Sequence, residues 1–145
     1  MAKVSYTVKS DLPPQVVWEA LTEFGPRRSA LWPDLSPSSL QVRERGDGYA
    51  VVREGTASLG IWAVERYEWS YPVVTATVQD SNAAQPGGTW RMEVQPGAGG
   101  GTVLNVRMDR RAKGLVGHVI HAVFQLTNGR FLAARTQKML SNIRP

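Results

Sequence analysis

The sequence predicts an α+β fold, a curved antiparallel sheet of about seven strands wrapped around a long C-terminal helix, with two short helices after the first strand. Three observations carry this. Residues 3–9 and then 39–111 read as strands cut by turn signals. Residues 11–37 hold two short helical stretches, and beyond Gly114 the apolar period is helical. Consecutive strands with short turns favour antiparallel pairing, and a helix laid across a curved sheet leaves space in which small molecules bind.

Along the chain, Val4, Tyr6 and Val8 alternate with polar residues, the mark of a half-buried strand. Ser10-Asp11 offers a helix cap and Pro13-Pro14 a first turn, after which Val17, Leu21 and Phe24 fall on one helical stripe that Gly25-Pro26 ends. Within residues 27–37, Arg27, Arg28, Leu31 and Trp32 predict a second short helix stopping before Pro33. Gly46-Asp47-Gly48 turns a hairpin between Leu40–Arg45 and Tyr49–Glu54. Further strands are expected at 60–71, Val73–Gln79, Thr89–Gln95 and Thr102–Arg111. In the last helix Val116, Val119, Ile120, Val123 and Leu126 share a face suited to packing on the sheet, with His118, His121, Gln125 and Asn128 on an opposite, solvated one. Leu132, Ala133, Leu140 and Ile143 lie on a rotated face, so a kink or break is expected at Asn128-Gly129.

The 145 residues are expected to form one domain, residues 1–145, with a real core: 42% are apolar and 20% charged. The absence of cysteine excludes disulfides, thiolate metal sites and cysteine nucleophiles, and two histidines leave little for a metal centre. No cofactor motif occurs. The glycine run at 97–101 lacks the Gly-Lys-Ser/Thr ending of a phosphate loop, and no Gly-x-Ser-x-Gly elbow is present. The N-terminus has no signal-peptide core and no segment is apolar for the roughly 18–20 residues that span a bilayer, so a cytoplasmic protein is expected. Charge is uneven: residues 107–145 carry 8 Lys+Arg against one acid, Asp109.

The segments Val4–Val8 and Leu12–Thr22, with Pro13-Pro14 followed by Val17-Trp18 and Leu21, resemble the opening strand, proline turn and helix of the START-related, birch-pollen-allergen-like helix-grip superfamily. Its polyketide cyclase/dehydrase and lipid-transport branch is the most similar. Trp90–Pro96 with Gly100–Leu104 resembles that family's Gly-Gly-Thr hairpin, and Gly129-Arg130-Phe131-Leu132 lies in what resembles its closing helix. The resemblance implies a helix-grip fold and a pocket for an apolar or aromatic ligand, without implying one reaction.

Strand parity selects candidate site residues. On strand 60–71, Ile61, Ala63, Glu65, Tyr67, Trp69 and Tyr71 form the more apolar face and are assigned inward. Trp90, Met92 and Val94, then Leu104, Val106 and Met108, follow on neighbouring strands. A ligand-binding set results: Tyr67, Trp69, Trp90, Met92, Leu104 and Val106 from the sheet, and Val116, Val119, Ile120 and Val123 from the last helix. Phe24, Trp32 and Leu35 are placed near the entrance. Glu65, a carboxylate among apolar neighbours, would have a raised pKa and is the candidate catalytic acid or base. The alternatives are a salt bridge with an arginine such as Arg91 or Arg53, or the opposite strand parity. Arg66 is read as a surface arginine.

The leading expectation is a binding protein for a small hydrophobic or aromatic molecule, a lipid or polyketide-like metabolite, held between sheet and C-terminal helix. The alternative is a cyclase or dehydratase using the same cavity. A second alternative is a basic surface, made of Arg107, Arg110, Arg111, Lys113, Arg130, Arg135 and Lys138, that binds an anionic membrane or nucleic acid. Nucleic acid ranks last for want of a recognition motif.

Overall fold

The computed structural model describes residues 2–33, 35–56 and 59–143. Seven antiparallel strands, β1 (Ala2–Ser10), β2 (Gln41–Gly46), β3 (Tyr49–Thr56), β4 (Ile61–Ser70), β5 (Val73–Ser81), β6 (Thr89–Pro96) and β7 (Thr102–Arg110), lie in the order β1-β7-β6-β5-β4-β3-β2. The first strand thus pairs with the last, Tyr6 opposite Val106, at one edge of the sheet. Helices α1 (Pro14–Leu21) and α2 (Arg28–Leu31) follow β1, and α3 (Gly114–Leu126) and α4 (Arg130–Ser141) close the fold.

The alternation predicted for the strands places Val4 and Val8 on β1, Val74, Ala76 and Val78 on β5, Met92 and Val94 on β6 and Leu104, Val106 and Met108 on β7 inside the protein. Between Val64 and Glu65 the β4–β5 register shifts: Val64 faces Asp80 but Glu65 faces Val78. The extra residue on β5 bends the sheet there. Helix α1 begins with Pro14 in its first turn. Pro13, not Ser10 or Asp11, is its N-terminal boundary, and the Ser10 hydroxyl instead accepts the Leu12 amide. Val17, Leu21 and Phe24 of the predicted stripe are all buried. Tyr71 is the exception to strand 60–71: it lies beyond the end of β4, exposed, edge-on to Trp18 at 5.0 Å.

The C-terminal helix is two helices. The break falls at the predicted Asn-Gly pair, where Asn128 (φ 52°) and Gly129 (φ 79°) both adopt left-handed conformations and the Gly129 amide donates to the Phe124 carbonyl. Helix α4 carries the rotated face into the core: Leu140, Met139 and Ile143 pack with α1 residues against Leu104, Val106 and Met92.

Helix α3 reverses the expected orientation. Val116, Val119 and Val123 are exposed, as are Leu115 and Leu126, whereas Gly117 and His121 are buried. The cause is a close backbone approach. A Cβ on Gly117 would collide with the Ala83 carbonyl oxygen and stand 2.9 Å from its carbonyl carbon. Lys113 also donates its amide to that Ala83 oxygen at 3.0 Å. Pinning the helix on its glycine turns His121 and Phe124 toward the sheet and the valine stripe toward solvent.

Candidate functional site

The inner face of the sheet holds a chain of charged and polar groups. On β3 the inward positions are Ala50, Val52 and Glu54; on β4 they are Glu65, Tyr67 and Trp69, with Val52 opposite Glu65 and Ala50 opposite Tyr67. Parity therefore delivers two carboxylates and a phenol to one surface. Arg28 of α2 covers Glu54: its Nε donates to Glu54 Oε2 at 2.6 Å and a terminal nitrogen to Oε1 at 3.2 Å. The Tyr67 hydroxyl donates to Glu54 Oε1 and lies 3.4 Å from Glu65 Oε2. Glu65 Oε1 in turn accepts a hydrogen bond from Arg110 at the end of β7. The sequence Arg28–Glu54–Tyr67–Glu65–Arg110 is formally neutral, which is how charges are kept inside a protein.

Aromatic rings wall this chain. Phe24 stacks on Trp69 at 5.2 Å and tilts against Tyr67 at 4.9 Å. The Arg28 guanidinium lies 4.3 Å from the Phe24 centroid and 4.8 Å from that of Tyr67, while Arg110 lies 5.4 Å from the Trp90 ring. Burial works against the charge of Arg28, but Glu54 and the Tyr67 oxygen outweigh it and hold its pKa above the usual arginine value. Burial, then the Glu54 and Glu65 carboxylates, push Tyr67 well above a normal phenol, so it remains a hydrogen-bond donor and is no base.

Both carboxylates already have cations, and the spare hydrogen-bonding capacity lies with nitrogen atoms. Trp32 Nε1, Trp90 Nε1, Arg110 Nε and His121 Nδ1 are buried with no hydrogen-bond partner among the described residues. His121 has its pKa lowered by burial first, and then by Arg110 and the neighbouring His118, which favours the neutral ring. Such groups are costly to leave unpaired: the Trp32, Trp90 and Arg110 N–H groups each lack an acceptor oxygen, and His121 Nδ1 lacks an acceptor or a donor according to its tautomer. Among the described residues no three His, Asp or Glu side chains gather as metal ligands.

The structure distributes the predicted residues as follows. Glu65, Tyr67, Trp69, Trp90, Met92, Leu104 and Val106 face the interior. Glu65 pairs with Arg110 rather than Arg91 or Arg53. Arg91 instead meets Glu93, and Arg53 lies over the Trp62 ring. Arg66, half-buried, pairs with Glu68. Phe24 is fully buried in the core and not at an entrance; Trp32 and Leu35 are half-buried. Val116, Val119 and Val123 do not line the interior, because α3 turns them outward; Ile120 is half-buried. His121, expected on the solvated face, is buried. Sequence reasoning passed over Arg28, Glu54 and Arg110 as members of the inner chain. The β3 alternation Ala50, Val52, Glu54 was the available signal for one of them.

Two clefts open elsewhere, and neither is lined by residues of α3. One of about 770 Å³ lies between residues 85–89 and Asp109, Arg111 and Ala112; another of about 320 Å³ is bordered by Ser5, Thr7, Arg91 and Arg107. Of the predicted ligand-binding residues, only Val106 borders either.

The fold is similar to that of a protein from Thermus thermophilus, 14% identical, with a TM-score of 0.77 over 97% of this chain and 96% of that one. It is also similar to the Zhui aromatase/cyclase from a Streptomyces species, 18% identical, TM-score 0.73, covering 97% and 92%. A START superfamily protein from Mycobacterium smegmatis, 19% identical, gives 0.68 over 96% and 99%. No curated protein matches the sequence. The sequence does match one family, and the match runs over residues 1–143. The chain belongs to the polyketide cyclase / dehydrase and lipid transport family.

Proposed function

We propose that this protein binds a small, largely apolar or aromatic molecule bearing acceptor oxygens, on the inner face of the sheet beneath α3. The observation that carries the reading is the conjunction of an aromatic wall (Phe24, Tyr67, Trp69, Trp90) with buried, unpartnered nitrogens on Trp90, Arg110 and His121. Apolar contact would supply affinity at about 25 cal/mol per Å² buried, and the Trp90 and Arg110 N–H groups would orient a carbonyl or hydroxyl oxygen, with His121 donating or accepting according to its tautomer. Family membership supports the same reading. Entry would require α3 to shift, and its attachments suit that: Gly114 (φ 70°) opens it and the Asn128-Gly129 break follows it.

Native mass spectrometry of the freshly purified protein, beside a denatured control, tests this. A reproducible extra mass lost on denaturation is expected, weakened by Arg110→Met. A clean apo mass, together with no intrinsic tryptophan response to a panel of aromatic ketones and fatty acids, would refute it.

A second reading, catalysis of cyclisation or dehydration in the same place, is favoured by the likeness to an aromatase/cyclase. Glu65, held between Tyr67 and Arg110, is its candidate acid or base. Turnover of a poly-β-keto thioester that disappears in Glu65→Gln is the expected result; unchanged turnover in that variant removes Glu65 from the role.

A further inference from the structure

The outward face of α3 is unlike the rest of the surface. Leu115 (82% exposed), Val116 (49%), Val119 (56%), Val123 (38%) and Leu126 (86%) form one aliphatic row, and exposed Phe131, stacked near Phe124 at 6.1 Å, prolongs it past the helix end. Scattered exposed leucines are ordinary, but a contiguous apolar row marks an interaction surface. Cations stand at both ends, Arg111 and Lys113 before the helix and Arg130 after it. From Arg110 to residue 145 the sequence holds no aspartate or glutamate.

We propose that this face of α3 docks on an anionic lipid surface, the helix lying in the plane of the headgroups. Its 13 residues extend for about 20 Å, too short to cross a bilayer but suited to an interfacial position with aliphatic residues below and cations at headgroup level. The row carries no hydrogen-bonding group and no Trp, Tyr or Arg anchor of the kind that fills the centre of protein interfaces, which suits hydrocarbon better than a folded partner. A second copy of the chain is a poor occupant as well. Apposing two such faces would bring Arg111, Lys113 and Arg130 of both chains together, with no acid in residues 110–145 to pair with them.

Flotation with phosphatidylcholine vesicles, with and without 30% phosphatidylserine, is the test. Partition to the anionic vesicles at least tenfold above the neutral ones, and its loss in high salt, is expected. Val119→Ser/Leu126→Ser should lower the partition at least tenfold, since each residue gives up burial in hydrocarbon. Arg111→Gln/Arg130→Gln should lower it about fivefold per cation. Both pairs lie on the surface, so unchanged thermal unfolding and near-UV circular dichroism show that the fold is intact. Four results would overturn the proposal: no partition by the parent protein; partition unaffected by the Val119/Leu126 pair; a micromolar dimer that this pair dissolves; or equally tight binding to duplex DNA or RNA.

Discussion

The buried pair between Arg28 and Glu54 offers a demanding test of the interior. Arg28→Met keeps the apolar stem of the side chain and deletes the guanidinium, with its hydrogen bonds to Glu54 and to the Glu23 carbonyl. The two side chains are 3% and 12% exposed, so this pair sits where removal of one partner strands the other charge away from water. The expected loss is about 3–5 kcal/mol. For a chain of this size that corresponds to a fall in Tm of roughly 6–20 °C. Urea unfolding followed by tryptophan emission would measure it, with Arg91→Met as the control. The Arg91–Glu93 pair is 47% and 27% exposed, and losing it should cost no more than about 1 kcal/mol. Adding Glu54→Leu to Arg28→Met should recover part of the loss, and adding Tyr67→Phe more, because the Tyr67 hydroxyl would otherwise lose its main acceptor. A single-variant loss as small as that of the control, or no recovery in the triple variant, would refute the buried-network argument.

Gly117→Ala sets helix propensity against packing: alanine favours the helix by about 1 kcal/mol, but its Cβ would push α3 off the Ala83 backbone, at about 1–3 kcal/mol. A net loss of Tm is expected, and a gain would show that α3 does not rest on that segment. His121 has a folded pKa below its unfolded value, so the neutral ring contributes stability that is present above about pH 6.5 and lost as the pH falls through the lower folded value. Stability measured from pH 7.5 to 5 should therefore decline less steeply in His121→Asn than in the parent, and identical slopes would place His121 in solvent.

How far the sequence alone reaches depends on the element. A half-buried strand has a period of two, so one correct assignment of a face propagates along the sheet. Once Tyr67 and Trp69 are placed inward, Glu65 follows, and antiparallel pairing carries the choice to Trp90 with Met92 and to Leu104 with Val106. The partner of Glu65 is a different matter. Arg110 is 45 residues away and reaches it across the sheet from the end of β7, through a long side chain whose path no local pattern encodes. Arg28 was likewise hidden, because the four-residue helix that aims it at Glu54 has too few turns to show a face.

Helix α3 is the instructive failure. Its period gives a valid apolar stripe, yet a period states only that two faces differ and not which one meets the core. Two glycines, Gly114 and Gly117, lie among its first four residues, and glycine inside a helix is a reason to expect backbone contact. Weighed that way, the stripe through Gly117, His121 and Phe124 becomes the packed one. A histidine whose pKa is lowered by burial and an aliphatic row left in solvent are then two consequences of one close approach at Ala83. The buried polar nitrogen of His121 behind the helix and the exposed valines in front of it therefore put observations behind both proposals on one element, α3.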